Sequence, residues 1–179
     1  PEAYEAEVRA YLTATMHPRW ERPWTDLIYQ PMLELFDYLR DNDWRIFVCS
    51  GGGRDFMRVY CEEVLGVCRE NIIGSAPEFA YEDGQLLRQN ALHGNISLGP
   101  GKLEHIHART GRTALFAGGN GDVDLEMLQE ARFRLVVVHD DEDREYVVTA
   151  AAEKLLANGK QGGWTMVSMK DDWNRIFND

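Results

Sequence analysis

With 179 residues and 44% apolar content, the chain is long enough for one domain with a sizeable core. Thirty acidic against nineteen basic side chains give a formal charge of -11, the wrong sign for a protein that grips nucleic acid through its phosphates. The longest apolar runs are five or six residues, far short of the roughly 20 that span a bilayer, so neither nucleic acid nor a membrane span is expected. Cys49, Cys61 and Cys68 show neither CxxC spacing nor a matching histidine set, which argues against a disulfide framework and a zinc site and for reduced thiols.

Along the chain, Val8, Tyr11, Leu12 and Thr15 stand at helical spacing and predict a helix over residues 2–15, ending near Met16-His17-Pro18. Its first turn, Pro1-Glu2-Ala3-Tyr4-Glu5, has proline at the favoured first position and acids near the positive dipole end but no preceding N-cap, which suggests a piece of a longer chain. After a connector rich in Pro and Trp, Met32, Leu35, Phe36 and Leu39 predict a second amphipathic helix stopping at Asp41-Asn42-Asp43. A strand over 44–49 and a helix from about Arg54 to Leu65 follow. Residues 71–90, with Asp83-Gly84 as a hairpin turn, read as a small β excursion.

A helix is expected from about Lys102 to Arg109, a strand over 113–117, a helix near 122–130 and a strand over 134–139. A long helix over 142–156 and an edge strand over 164–167 complete the chain. Strands alternating with helices predict an α/β fold with a mostly parallel sheet and right-handed crossovers. Ligands of such sheets bind at the carboxyl ends of the strands. Here those ends are Ser50-Gly51-Gly52-Gly53, the run from Gly118 to Asp124, and His139-Asp140-Asp141.

Ser50 at a strand end before a helix reads either as an N-cap or as a donor that, with the Gly51 and Gly52 amides, holds an anion. Lys102 opens a helix, where the dipole disfavours a cation, which points to a lysine held to meet a phosphate or a carboxylate. Asn120, Asp122 and Asp124 supply hard oxygens of the kind Mg²⁺ takes, or else an acidic helix cap.

A strand ending in Ser-Gly, a helix-opening lysine and a strand ending in G-N-G-D-V-D, in that order, resemble the haloacid dehalogenase-like (HAD) hydrolases, and most nearly their phosphoserine-phosphatase-like branch. The stretches Tyr29 to Leu35, Val48 to Gly53, Gly119 to Leu125 and Trp164 to Lys170 look like one bacterial subgroup of it, and the likeness covers nearly the whole chain. The resemblance implies a Rossmann-like three-layer α/β/α core across residues 1–179, with residues 1–30 a remnant of a cap or connecting helix. It also implies Mg²⁺-dependent hydrolysis of a small phosphorylated metabolite. In the family's pattern Ser50, Gly51 and Gly52 bind the phosphoryl oxygens, Lys102 neutralises charge, and Asn120, Asp122 and Asp124 form the metal loop, with Asn120 where the family more often has Asp.

The family attacks phosphorus with the first Asp of a DxDx(T/V) motif that ends a central strand and precedes the Ser motif. Asp41-Asn42-Asp43 has the spacing but precedes its strand, and Asp122-Val123-Asp124 belongs to the metal loop. The expectation is therefore a nucleophile strand upstream in a longer protein, or on a partner chain that completes the sheet. Without it the chain alone is expected to be inactive. A degenerate module that binds phosphorylated ligands without hydrolysing them is the alternative. A cytoplasmic location is expected, or a periplasmic one if an export signal lies upstream.

Overall fold

The computed structural model describes residues 1–178. The chain divides into two compact units: Pro1–Ile96 with the chain end from Phe177, and Ser97–Ile176.

In the first unit, α1 (Glu2–Ala14) and α2 (Gln30–Asp41) form where the apolar spacing places them. β1 (Val48–Gly53) starts later than the apolar run suggests and runs on through the glycines. It pairs in parallel with β2 (Ile72–Ser75) from Val48↔Ile72 to Gly53↔Ser75, with a bulge between Ser50 and Gly53. Small residues let the strand continue where a loop was expected. The helix expected over 54–65 is two short ones, α3 (Arg54–Met57) and α4 (Cys61–Leu65). Between them the amides of Val59 and Tyr60 bond three residues back, to Phe56 and Met57 carbonyls, which tightens the turn and redirects the axis.

Met57, Cys61, Val67 and Ile72 form the buried core here, with Phe36, Ile46, Val48, Tyr60 and Leu65 packed on it. Burial pushes the Cys61 thiol up to about 11, so it serves as a protonated apolar filler. Among the described residues the three cysteines form no disulfide. The β excursion is the antiparallel hairpin β3 (Pro77–Glu82) and β4 (Gln85–Leu92), turning at Asp83 and Gly84, both at positive φ. Ile72 to Ser75 belongs instead to the parallel pair. The chain end returns to this unit. Phe177 stacks on Tyr29 and meets Trp20 edge-on, and Asn178 exchanges hydrogen bonds with Ile28 and accepts one from Arg22.

In the second unit, α5 (Pro100–Thr110) leads to β5 (Phe116–Gly119), α6 (Leu125–Glu130), β6 (Phe133–Val138), α7 (Glu153–Gly162) and β7 (Thr165–Ser168). The three strands form a parallel sheet in the order β5-β6-β7. Leu128, Val136, Leu155 and Met169 are fully buried. The helix expected over 142–156 forms only from Glu153. Arg144 anchors the segment before it, donating to the carbonyls of Met169, Lys170, Trp173 and Asn174, while Val148 N–H bonds back to His139. These long-range bonds hold residues 142–148 in a loop. Among the described residues no helix is long and apolar enough to cross a membrane.

β2 lies so close to the turn into α3 that a Cβ on Gly74 would stand 2.6 Å from the Met57 methyl and 2.7 Å from the Gly52 carbonyl oxygen. Gly74→Ala is expected to destabilise the protein by about 1–3 kcal/mol, read from urea unfolding, because the Gly52 and Arg54 backbone cannot give way as the Met57 methyl can.

Candidate functional site

The second unit carries a closed polar cluster at the carboxyl end of β5. Lys102, third residue of α5, donates its Nζ to Asp124 Oδ1 at 2.6 Å. Asp124 Oδ2 accepts the backbone N–H groups of Asn120 and Gly121 at 3.0 and 3.2 Å. Lys102 and Asp124 are each only 5% exposed, so this pair is removed from water. Such burial is costly for two charges unless their remaining polar atoms are met, and the two loop amides meet those of Asp124.

The local sequence makes the approach possible. A Cβ on Gly119 would lie 2.6 Å from Asp124 Cβ, so only glycine lets the carboxylate fold beneath the loop. Gly99 N–H bonds Val123 O at 2.9 Å, tying the start of α5 to the acidic loop and bringing Lys102 to Asp124.

Asp122 points elsewhere, since its Oδ1 accepts the Leu155 N–H at 2.9 Å in the first turn of α7. Asn120 joins the cluster through its backbone, and its side chain makes no hydrogen bond with the described residues. Among those residues no three His, Cys, Asp or Glu side chains converge as a metal would require. The third strand end is structural: Asp140 accepts from Ser168 Oγ and Lys170 N–H, and Asp141 from the backbone and side chain of Arg144. The Arg144 backbone N–H first, then its side chain, hold Asp141 below the usual carboxylate range against the opposing effect of burial. Burial lowers the His139 pKa, with Glu145 and Asp140 opposing, which favours its neutral form.

Ser50, Gly51 and Gly52 belong to the first unit. Ser50 Oγ accepts the Gly52 N–H at 3.1 Å, which leaves its hydroxyl hydrogen to donate outward. The Gly51 carbonyl accepts Ser75 Oγ at 2.8 Å, and Gly52 and Gly53 are exposed. Sequence reasoning missed Arg54, Asp55 and Arg58. Arg54 Nε and Arg58 NH1 both donate to Asp55 Oδ1, at 3.1 and 3.2 Å. The pattern R-D-x-x-R directly after S-G-G-G was the available signal.

Residues 2–129 match the family model of the haloacid dehalogenase-like hydrolases, and the chain belongs to that family. Its α/β core with parallel strands is that of the family, whose members generally use Mg²⁺. A phosphoserine phosphohydrolase-like protein from Francisella tularensis subsp. tularensis SCHU S4 shares the fold. The likeness has a TM-score of 0.50 at 19% identity, over 86% of this chain and 69% of that one. No curated protein matches the chain.

Lys102→Met alone leaves Asp124 buried without its cation and is expected to cost about 3–5 kcal/mol in urea unfolding. Lys102→Met with Asp124→Asn should recover at least half of that loss, because the amide still accepts from the loop and no charge is left buried.

Proposed function

We propose that this chain carries the phosphate-holding and charge-neutralising parts of a phosphomonoester hydrolase that works through an aspartyl-phosphate. The observation that carries the reading is the buried Lys102–Asp124 pair under the glycine loop of β5. In the family's pattern Ser50 and the Gly51 and Gly52 amides receive phosphoryl oxygens, although here the Gly52 N–H donates to Ser50 Oγ, and Lys102 offsets the negative charge of phosphate and nucleophile. The substrate is a small phosphorylated metabolite.

The nucleophile is proposed to come from outside Pro1–Asn178. Carboxylates near the strand ends are already engaged: Asp55 by two arginines, Asp124 by Lys102, Asp122 by the α7 amide, Asp140 by Ser168 and Lys170, and Asp141 by Arg144. Asp41 ends α2 and Asp43 sits at positive φ ahead of β1, at the amino-terminal end of that strand. β5 pairs only with β6 among the described residues, so its other edge is open to a further parallel strand carrying the aspartate.

Against p-nitrophenyl phosphate with Mg²⁺, the 179-residue chain is expected to show no turnover. A version extended by an apolar strand ending in DxDx(T/V) should turn over and lose that activity on Ser50→Ala or Lys102→Ala. Metal-dependent turnover by the 179-residue chain, lost on Ser50→Ala, would place the nucleophile inside it. Retained binding of phosphate esters without hydrolysis in the extended version would select a noncatalytic binding module instead.

The residues present do not make a Mg²⁺ centre by themselves. Both Asp124 oxygens and one Asp122 oxygen already accept hydrogen bonds, and only Asn120 Oδ1 and the second Asp122 oxygen make none with the described residues. Calorimetric titration of the chain with Mg²⁺ alone is expected to give a Kd weaker than about 1 mM, since a hard divalent cation wants several oxygens in a near-octahedral set. Tighter binding that disappears in Asn120→Ala would show that the loop is a sufficient site.

A further inference from the structure

Beside Ser50 the first unit holds positive charge that the phosphate cradle does not use. α3 opens on Arg54 directly after the glycine run. The Arg54 Cα stands 3.1 Å from where a Cβ on Gly74 would be, and Gly74 is the ladder partner of Ser50. The Arg54 backbone therefore lies against the strand ends, with Ser50 within an arginine's length.

Two guanidiniums share one carboxylate. Arg54 through Nε and Arg58 through NH1 both donate to Asp55 Oδ1, while Asp55 Oδ2 is buried without a hydrogen bond among the described residues. Arg58 also spends its Nε on the Arg69 carbonyl, at 3.0 Å. Arg69 is itself matched by Glu5 at 2.6 Å, so neither charge of that pair is left over for the cluster. One positive charge remains uncancelled. Burial first, then the nearby Arg54 charge, push the Arg58 guanidinium below its ordinary value, with Asp55 opposing.

Arg54 is where that excess can be met. Its side chain is 25% exposed, and its two terminal nitrogens make no hydrogen bond with the described residues. A planar fork with free donors, braced at Nε by a neighbouring carboxylate, suits two-pronged recognition of a carboxylate or phosphate, which a lysine's point charge would not match.

We propose that Arg54 is a specificity-determining residue that receives a second anionic group, a carboxylate or a phosphate, of a phosphomonoester whose phosphoryl group is held at Ser50. Asp55 fixes the guanidinium and Arg58 keeps the cluster positive. The inference rests on the phosphate-holding reading of Ser50 and narrows its substrates to phosphomonoesters with two anionic ends.

The test needs no turnover. The 179-residue chain is titrated calorimetrically with ethyl phosphate, with phosphoglycolate and with propane-1,3-diyl bisphosphate. At least one of the last two is expected to bind about tenfold more tightly than ethyl phosphate, the scale of a charge-assisted bidentate contact, and which one does so tells carboxylate from phosphate. Arg54→Gln should reduce that preference to less than about threefold, and Arg54→Lys, which keeps the charge but not the fork, should give an intermediate ratio. Should Arg54→Gln fail to fold, Arg54→Lys carries the same comparison. Equal affinities for the three ligands, or a ratio unchanged in a folded Arg54 variant, would overturn the proposal while leaving the phosphate reading intact. No binding of ethyl phosphate, or binding indifferent to Ser50→Ala, would remove the phosphate reading and this proposal with it.

Discussion

The contact on which the second unit's polar chemistry depends is the buried ion pair between Lys102 and Asp124. Two charges taken out of water stay ionised together only if the rest of the carboxylate is also satisfied, and the loop backbone does this by folding over Asp124. Gly119 must then lack a side chain, and Gly99 must tie α5 to Val123. The loop is thereby fixed from inside. Its acidic look in the sequence is misleading as to free charge, because its most buried carboxylate is spent on the lysine and another steadies α7.

The same economy runs through the other strand ends. Asp140 and Asp141 hold the C-terminal loops of the second unit, and Arg144 gathers four backbone carbonyls. Negative charge in these segments is thus matched locally by backbone amides and arginines. Beside Ser50 the balance goes the other way, with two guanidiniums on a single carboxylate. Within the first unit that is the place beside the candidate cradle where an arriving anion meets unspent donors.

Much of this was readable from residue order, and the misses share a cause. α1, α2, the Asp83-Gly84 hairpin and the strand and helix alternation follow from local periodicity and turn chemistry, which act over a few residues. Ser50 and Lys102 stood out because a serine and a lysine at those chain positions contradict or exploit the local dipole. The false helix over 142–152 obeyed local preference but lost to Arg144, whose partners lie 25 to 30 residues away. The register of β1 was likewise set by β2, more than 20 residues on, and not by the glycines that looked like a loop. Whether Asp124 meets a metal or a lysine is also decided across 22 residues of sequence, which spacing within a motif does not encode.

The first unit is discontinuous: the chain leaves it after Ile96 and comes back at Phe177 to lie against Trp20 and Tyr29. On a ribosome, which releases the chain from its beginning, this reverses the usual order in which earlier segments finish folding first. The aromatic seat around Tyr29 waits for its occupant while the rest of the first segment and the whole second unit are made, and the later unit can close before the earlier one does. During that interval Trp20 and Tyr29 lack the ring that later packs on them, an apolar surface on the nascent chain that a holding chaperone could cover.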